Sequence, residues 1–154
     1  MTSAVTVRML HPGDIDMLER IAPGVFDHPI DRNCAEAFVA DPHLHIAVAI
    51  EDRQVVGFVS GVDYVHPDKP REMWINEVGV APHCRRSGVG KKLLDAMLGQ
   101  ADAIGCREAW VLTDSDNDAA IALYESAGGQ EERPGQRMFA FTQLSGKRKD
   151  AEHE

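Results

Sequence analysis

The sequence predicts an α/β domain in which helices flank a mixed β-sheet. Apolar runs typical of strands alternate with segments of helical periodicity, in the order β-α-α-β-β-β-α-β-α-β. A helical segment separates the apolar runs MWINEVGV and AWVLT, and a helical crossover is how two parallel strands are joined. The length of 154 residues fits one domain. We therefore expect a single sheet with a parallel pair around the third helix.

The first half of the chain supplies a strand, two helices and a hairpin. TVRML reads as a short strand, and PGDIDMLERIA as a helix with Ile15, Leu18 and Ile21 at helical spacing. A second helix fits Arg32–Ala40, before an Asp-Pro pair. LHIAVAIEDRQVVGFVSGVDYV predicts a β-hairpin whose polar turn covers residues 51–53.

The second half alternates strands with helices. MWINEVGV predicts a strand, residues 88–103 an amphipathic helix, and AWVLT a strand buried at the sheet centre because it shows no alternation. NDAAIALYESAGG predicts a helix with Asn117 as N-cap and Gly128 with Gly129 as its end. RMFAFTQL predicts the last strand. We expect one domain over residues 1–144 and a disordered polar tail, SGKRKDAEHE, over residues 145–154.

The charge balance narrows the possible partners. Asp and Glu number 25 against 16 Lys and Arg, a net charge of −9, which argues against nucleic acid and is compatible with a cationic ligand. An acidic excess that serves solubility alone is the alternative. No apolar run approaches the roughly 20 residues of a membrane span, and MTSAVTVRML lacks the features of a signal peptide.

The cysteines and histidines predict neither disulfides nor a metal. Cys34, Cys84 and Cys106 are odd in number and form no CxxC, as expected of reduced thiols in a cytoplasmic protein. His43 and His45 would share one face of a strand, but no third ligand accompanies them. We therefore predict no metal site.

A basic, glycine-rich segment, HCRRSGVGKKLL at residues 83–94, predicts an anion site. It is not a nucleoside-triphosphate P-loop, because Arg85 and Lys92 occupy the positions of the first Gly and of Ser/Thr. It is not a dinucleotide turn, because Leu93 replaces the third Gly. Arg-x-x-Gly-x-Gly at a helix start still offers free N–H groups and a positive helix end to a pyrophosphate. An ordinary helix start is the alternative at this point.

The order of four segments resembles the GCN5-related N-acetyltransferases. INEVGV, HCRRSGVGKKLL, AWVLT and DNDAAIALYESAGG follow one another as in that family, most clearly over residues 72–129. The resemblance implies a mostly antiparallel mixed sheet with splayed parallel strands 4 and 5, flanked by helices. It also implies acetyl-coenzyme A (acetyl-CoA) as donor. The implied pyrophosphate loop consists of Arg85, Arg86, Ser87, Gly88, Val89, Gly90 and Lys91.

The resemblance also implies where the pantetheine arm of the coenzyme lies. The matching strand residues are Val78, Gly79 and Val80, whose backbone groups would bind the arm, and the N–H of Val78 would polarise the thioester carbonyl. A glycine inside a strand further indicates a bulge or a close backbone approach. Asn117 matches the position that hydrogen-bonds the arm, and it could also cap the helix.

Two side chains are implied as catalytic groups. Glu77, just before the pantetheine segment, would accept the proton of the incoming ammonium directly or through water. Tyr124 would protonate the departing thiolate. A solvated strand-end carboxylate is the alternative for Glu77, and a core aromatic residue is the alternative for Tyr124.

A closer resemblance concerns the acceptor. VFDHPID, YVHPDKP, and INEVGV together with TDSDNDAAIALY resemble the branch that contains aminoglycoside 3-N-acetyltransferases. Such polycationic substrates need several carboxylates around the acceptor amine. The candidates are Asp27, Asp63, Glu77, Asp114 and Asp116.

Other functions remain open at this stage. The acceptor could be a protein N-terminus, a lysine or a polyamine, and a non-catalytic acyl-CoA-binding module could keep the same fold. Dimers are frequent in the family, so the resemblance also implies a homodimer.

Overall fold

A computed structural model describes residues 4–142 and 144. Its strands are β1 (Thr6–Met9), β2 (Leu44–Glu51), β3 (Gln54–His66), β4 (Lys69–Val80) and β5 (Glu108–Val111). Its α-helices are α1 (Arg32–Ala40), α2 (Val89–Ala103) and α3 (Asp118–Ser126). Short 3₁₀ helices cover Pro12–Glu19 and Pro82–Cys84.

The strands form one mixed sheet in the order β1-β2-β3-β4-β5. Neighbours from β1 to β4 are antiparallel, whereas β4 and β5 are parallel and are connected through α2. The hairpin between β2 and β3 turns at Asp52 and Arg53, both with positive φ, which is the backbone of a type I′ turn. The predicted fold class is thus confirmed, including the parallel pair.

Helices and loops cover both faces of the sheet. Neighbouring residues of β3 face opposite sides: Gly57 lies against Leu93 of α2, and Phe58 stacks on Phe26 on the other side. On the α2 side, Leu93 and Met97 are completely buried. This two-sided packing buries the middle strands of the sheet.

The first predicted helix is a shorter 3₁₀ helix. It ends at Glu19 because the following residues pair with β3: the N–H of Val55 donates to Arg20 O at 2.7 Å, and the N–H of Ala22 donates to Val55 O at 2.8 Å. A chain held in this extended pairing cannot continue as a helix. Residues 21–30 therefore run as a loop over the sheet.

The predictions for AWVLT and RMFAFTQL were wrong in part. β5 is a strand, but it is the outermost strand of the described sheet, and its burial comes from packing beside β4 rather than from a central position. Over residues 137–142 and at 144 there is no strand, because this segment joins no ladder of the sheet. Met138, Phe139 and Phe141 are about three-quarters exposed there.

Two further expectations concern the chain as a whole. The predicted tail, residues 145–154, lies outside the described residues. Within the described ranges, no helix has both the length and the apolar character to cross a bilayer.

Candidate active site

A bulge in β4 opens the sheet next to Glu77. Ser60 of β3 lies opposite Glu77 and Gly61 opposite Ile75, so Asn76 is an additional residue on β4. The parallel pairing with β5 ends at Ile75. Past this point no strand among residues 4–142 lies beside the outer edge of β4, and Val78, Gly79 and Val80 line the opening. An extended chain could bind there through backbone hydrogen bonds.

Gly79 permits a close approach by another part of the protein. A Cβ atom at this position would overlap the Val25 carbonyl oxygen and lie 2.7 Å from Phe58 Cε1. The sequence predicted a bulge or a close backbone approach at this glycine, and the close approach is present, whereas the bulge of β4 lies three residues earlier, at Asn76. The approaching backbone belongs to the loop that follows the first 3₁₀ helix.

That loop is fixed by an aromatic stack. The rings of Phe26 and Phe58 lie 3.9 Å apart, centroid to centroid, at an interplanar angle of 14°. Stacking of this kind packs the Phe26 side chain directly on β3. Because Phe26 is anchored on β3, the next residue, Asp27, is held over β4 beside Glu77.

Asp27 and its neighbour change the acidity of Glu77. Glu77 is accessible to solvent, yet partial desolvation raises its pKa, and the Asp27 carboxyl raises it further through a hydrogen bond and charge repulsion. A positive charge on the His28 imidazole lowers the Glu77 pKa. A carboxylate with a raised pKa binds a proton more readily, which suits a group that must accept one near neutral pH.

A cavity lies on the Asp27 side of this carboxyl pair, and Glu77 is not among the residues that line it. Its volume is about 280 Å³, and its walls come from the loop of residues 21–30, including Phe26, Asp27 and His28. It therefore offers an aromatic surface, one acidic group and one imidazole. Such a lining fits a ligand that is both cationic and partly apolar.

The predicted pyrophosphate loop has the shape of an anion site. Arg86 and Gly88 adopt left-handed backbone angles, with φ of 61° and 85°. The first hydrogen bond of α2 runs from the Lys92 N–H to Gly88 O at 3.1 Å, and no side chain caps the helix. The N–H groups of the first helical turn are thus left for a ligand.

Some side chains of this loop carry a positive charge, whereas others hold the loop in place. Arg85 Nε donates to Val80 O at 3.3 Å, which connects the loop with the end of β4, and the Ser87 hydroxyl donates to Cys84 O. Val89 is buried. Lys91 is exposed and pairs with Asp95 at 3.0 Å. Together with exposed Arg86, these cations suit a pyrophosphate group.

The helix α3 packs against the start of α2. A Cβ atom on Gly90 would lie 3.3 Å from Leu123 Cδ2, so a small residue lets the two helices come close. Tyr124, the next residue on α3, is half-buried, and this burial raises the pKa of its phenol. A phenol that stays protonated at neutral pH can act as a proton donor.

Asn117 caps α3, as the sequence predicted. Its Oδ1 accepts a hydrogen bond from the Ala120 N–H at 3.1 Å. The side-chain NH₂ group remains as a donor for a ligand. Its role toward the pantetheine arm stays a prediction.

The structure separates one of the five predicted acidic residues from the others. Asp63 is only 4% exposed: His43 Nδ1 and His45 Nε2 lie 3.0 and 2.6 Å from its oxygens, and Arg71 also donates to it. A carboxylate saturated in this way cannot also bind a substrate amine at the surface. Asp63 is therefore part of a buried network in the fold and not of an acceptor rim.

The remaining acidic residues differ in position. Asp27 and Glu77 come together beside the cavity. Asp114 and Asp116 are exposed in the loop between β5 and α3. Phe26 and His28 also line the cavity, although no motif spacing in the sequence distinguishes them.

Comparison with known proteins identifies the family. The family model described as acetyltransferase (GNAT) family matches residues 15–129. An N-alpha-acetyltransferase RimI of Mycobacterium tuberculosis is 29% identical over 131 residues, which cover 84% of this chain and 80% of that protein.

Solved structures share the fold. The aminoglycoside acetyltransferase meta-AAC0020 from an uncultured soil metagenomic sample, in complex with sisomicin, has a TM-score of 0.74 at 20% identity, covering 90% of this chain and 97% of that one. The aminoglycoside N-acetyltransferase AAC(6')-Iy in complex with CoA has a TM-score of 0.69 at 21% identity, with coverages of 93% and 97%. The chain belongs to the GNAT family and is an acetyl-CoA-dependent N-acetyltransferase.

Proposed function

We propose that this enzyme transfers the acetyl group of acetyl-CoA directly to a cationic primary amine that binds at Glu77 and Asp27. The proximity of these two carboxyl groups carries the proposal. An acceptor amine arrives mostly as an ammonium ion and must lose a proton before its nitrogen can attack. Two carboxyl groups at one place attract that cation, and the one with the raised pKa can take its proton.

Each group of the chain then has a distinct task. Acetyl-CoA, when bound, supplies the thioester that is to be attacked. The loop of residues 85–91 would bind the pyrophosphate, and the edge of β4 at residues 78–80 would bind the arm, with the Val78 N–H as the donor for the carbonyl oxygen. Asn117 would hydrogen-bond the arm. Tyr124 would supply the proton for the departing thiolate from its phenol.

The acceptor that we propose first is an aminoglycoside, with transfer to its 3-N position. Three observations support it: the net charge of −9, the carboxyl pair beside a cavity, and the exposed Asp114 and Asp116 on a neighbouring loop. An acidic surface increases the local concentration of a polycation. The resemblance of VFDHPID and YVHPDKP to the 3-N branch supports the position of transfer.

A peptide α-amine is the second candidate. The similarity to a RimI protein over most of both chains favours it. The burial of Asp63 also favours a peptide, because it leaves Asp27 and Glu77 as one pair of adjacent carboxyl groups. Such a pair matches a single ammonium group rather than the several ammonium groups of an aminoglycoside.

A substrate panel distinguishes these candidates. CoA thiol release is measured with gentamicin-type aminoglycosides, polyamines and short peptides, and mass spectrometry locates the added acetyl group. We expect acetylation of an aminoglycoside amine. Acetylation of peptides alone would replace the first candidate by the second, and acetyl-CoA binding without turnover on any amine would contradict the proposal.

A further inference from the structure

Three potential metal ligands meet on the side of the phosphate loop that faces the β2–β3 hairpin. Glu51 ends β2, whereas His83 and Cys84 belong to the 3₁₀ helix Pro82–Cys84. Glu51 Oε1 and His83 Nε2 lie 3.1 Å apart, and the ligand atoms of all three residues, including the sulfur of Cys84, lie within 4.8 Å of one another. The proposed coenzyme and acceptor sites use none of these side chains.

These separations are close to those of a tetrahedral zinc site. With Zn–N and Zn–O bonds of about 2.0–2.2 Å and a Zn–S bond of about 2.3 Å, an oxygen and a nitrogen ligand lie about 3.3 Å apart and a sulfur and a nitrogen ligand about 3.6 Å apart. The Glu51–His83 distance already meets the first value. The Cys84 sulfur lies within 4.8 Å of the other two ligand atoms, so metal binding requires it to move closer to reach the second value.

We propose that Glu51, His83 and Cys84 bind a Zn²⁺ ion whose fourth position is open to water. Carboxylate oxygen, imidazole nitrogen and thiolate sulfur are the ligands that zinc takes in proteins, and three protein ligands plus water is an established arrangement. The side chain of His83 is 58% exposed, whereas Cys84 is 4% exposed. An ion can therefore enter from the surface and bind a sulfur atom that is otherwise protected from solvent.

The binding step is a simple exchange. The S–H bond of Cys84 breaks, its proton goes to the solvent, and the sulfur electron pair forms the Zn–S bond. His83 binds through the lone pair of neutral Nε2, and Glu51 binds as the carboxylate. The hydrogen bond between Glu51 and His83 is replaced by two bonds to the metal.

The ion would connect the hairpin with the phosphate loop. Arg85 follows Cys84 directly, and the Ser87 hydroxyl donates to Cys84 O. The backbone of Cys84 is itself held by a hydrogen bond from its N–H to Ala81 O at 2.9 Å. Zinc would thus fix the first residues of the loop relative to the end of β2, and it should raise the unfolding temperature of the free enzyme.

Cobalt is the probe that reports sulfur ligation. The reduced, tag-free full chain is titrated with Co²⁺ without CoA, whose own thiol would bind the metal. We expect a thiolate-to-cobalt charge-transfer band that disappears in Cys84→Ser and persists in Cys34→Ser, a control at an exposed cysteine. A cobalt spectrum with no such band, or one that Cys84→Ser leaves intact, would overturn the assignment.

A second pair of variants tests the site without changing the buried cysteine. His83→Ala and His43→Ala remove two histidines that are each 58% exposed. Zinc affinity is measured by competition with a chromophoric chelator. His83→Ala should weaken zinc binding at least about 10-fold, because even the loss of a residue that only hydrogen-bonds a metal ligand costs about 10–100-fold in affinity. His43→Ala should leave the zinc affinity unchanged. Equal weakening in both variants, or wild-type affinity in His83→Ala, would refute the site, as would a wild-type chain that binds no zinc.

Discussion

The carboxyl groups of Asp27 and Glu77 lie within hydrogen-bonding reach of each other, although one belongs to a loop and the other to β4, just past the end of its pairing with β5. The close approach of Val25 to Gly79 and the stacking of Phe26 on Phe58 create this proximity. The proposed acceptor site therefore depends on how a loop without regular structure packs on β3 and β4.

Removing the Asp27 charge should change the pH dependence of the enzyme. Asp27 raises the pKa of Glu77, so Asp27→Asn should lower that pKa and keep Glu77 ionised at more acidic pH. The acidic limb of the profile of kcat/KM against pH should therefore move to lower pH. The KM for the cationic amine should rise, because one negative charge is lost.

Asp114→Asn is the matched control for this experiment. It also removes one negative charge, but from an exposed loop after β5. We expect the acidic limb of its profile to stay in place. An Asp27→Asn profile identical to that of the control would show that the two carboxyl groups are not coupled.

A methyl group at Gly79 should disturb the acceptor side of the site. The added Cβ would overlap the Val25 carbonyl oxygen, so the loop must shift, at a cost of about 1–3 kcal/mol for overpacking. Gly79→Ala should therefore lower the unfolding temperature and raise the KM for the amine.

Gly99→Ala is a control that should raise the stability of the protein instead of lowering it. Gly99 lies inside α2, and an added Cβ there meets nothing within 4 Å. Alanine should stabilise the helix by roughly 0.5–1 kcal/mol. If thermal melts show that Gly79→Ala is as stable as wild type, the close approach of Val25 is not present in solution.

The phenol of Tyr124 should matter for turnover and little for stability. Its hydroxyl makes no hydrogen bond to the residues that the structure describes, so Tyr124→Phe keeps the packing of the ring. Loss of a general acid should lower kcat by about 10²–10⁴-fold. Calorimetric titration should give an unchanged affinity for acetyl-CoA. A variant with the kcat of the wild type would remove Tyr124 from the mechanism.

Asp63 should be important for stability and not for the acceptor. Burial alone would raise its pKa, but hydrogen bonds from His45, His43 and Arg71 lower it overall. Its folded pKa lies below the ordinary value of 3.8, so its stabilising contribution is fully present above that pH and is lost as the pH falls further.

Asp63→Asn leaves Arg71 without the buried carboxylate with which it pairs and replaces the oxygens that face His43 and His45 by an amide. Breaking such a pair costs about 3–5 kcal/mol, which urea unfolding at neutral pH measures. Asp116→Asn, at an exposed position, should have the stability of the wild type. If Asp63→Asn were stable but had a raised KM for the amine, Asp63 would belong to the acceptor site after all.

The sequence predicted those features that depend on local chemistry. Gly88 and Gly90 in a basic segment predicted the start of α2, and Asn117 predicted the cap of α3, because turns and caps depend on nearby residues. The parallel pair of β4 and β5 followed from one helix between two apolar runs.

Features that depend on distant contacts were not predictable in this way. The first helix ends at Glu19 because residues 20–22 pair with Val55, which helical periodicity does not encode. Asp63 was assigned to the acceptor rim from its charge, whereas His43, His45 and Arg71 surround it in the fold. The same limit applies to Glu51, which is far in sequence from His83 and Cys84.

Steady-state kinetics of Glu77→Gln, measured with an amine that the wild-type enzyme acetylates, test the central claim most directly. CoA thiol release and acetylated product are measured together, with acetyl-CoA affinity as the control for an intact coenzyme site. We predict that wild type releases one CoA per acetylated amine and that Glu77→Gln lowers kcat/KM by about 10²-fold or more without weakening acetyl-CoA binding. A Glu77→Gln enzyme with the kcat/KM of the wild type across the pH range would contradict the account.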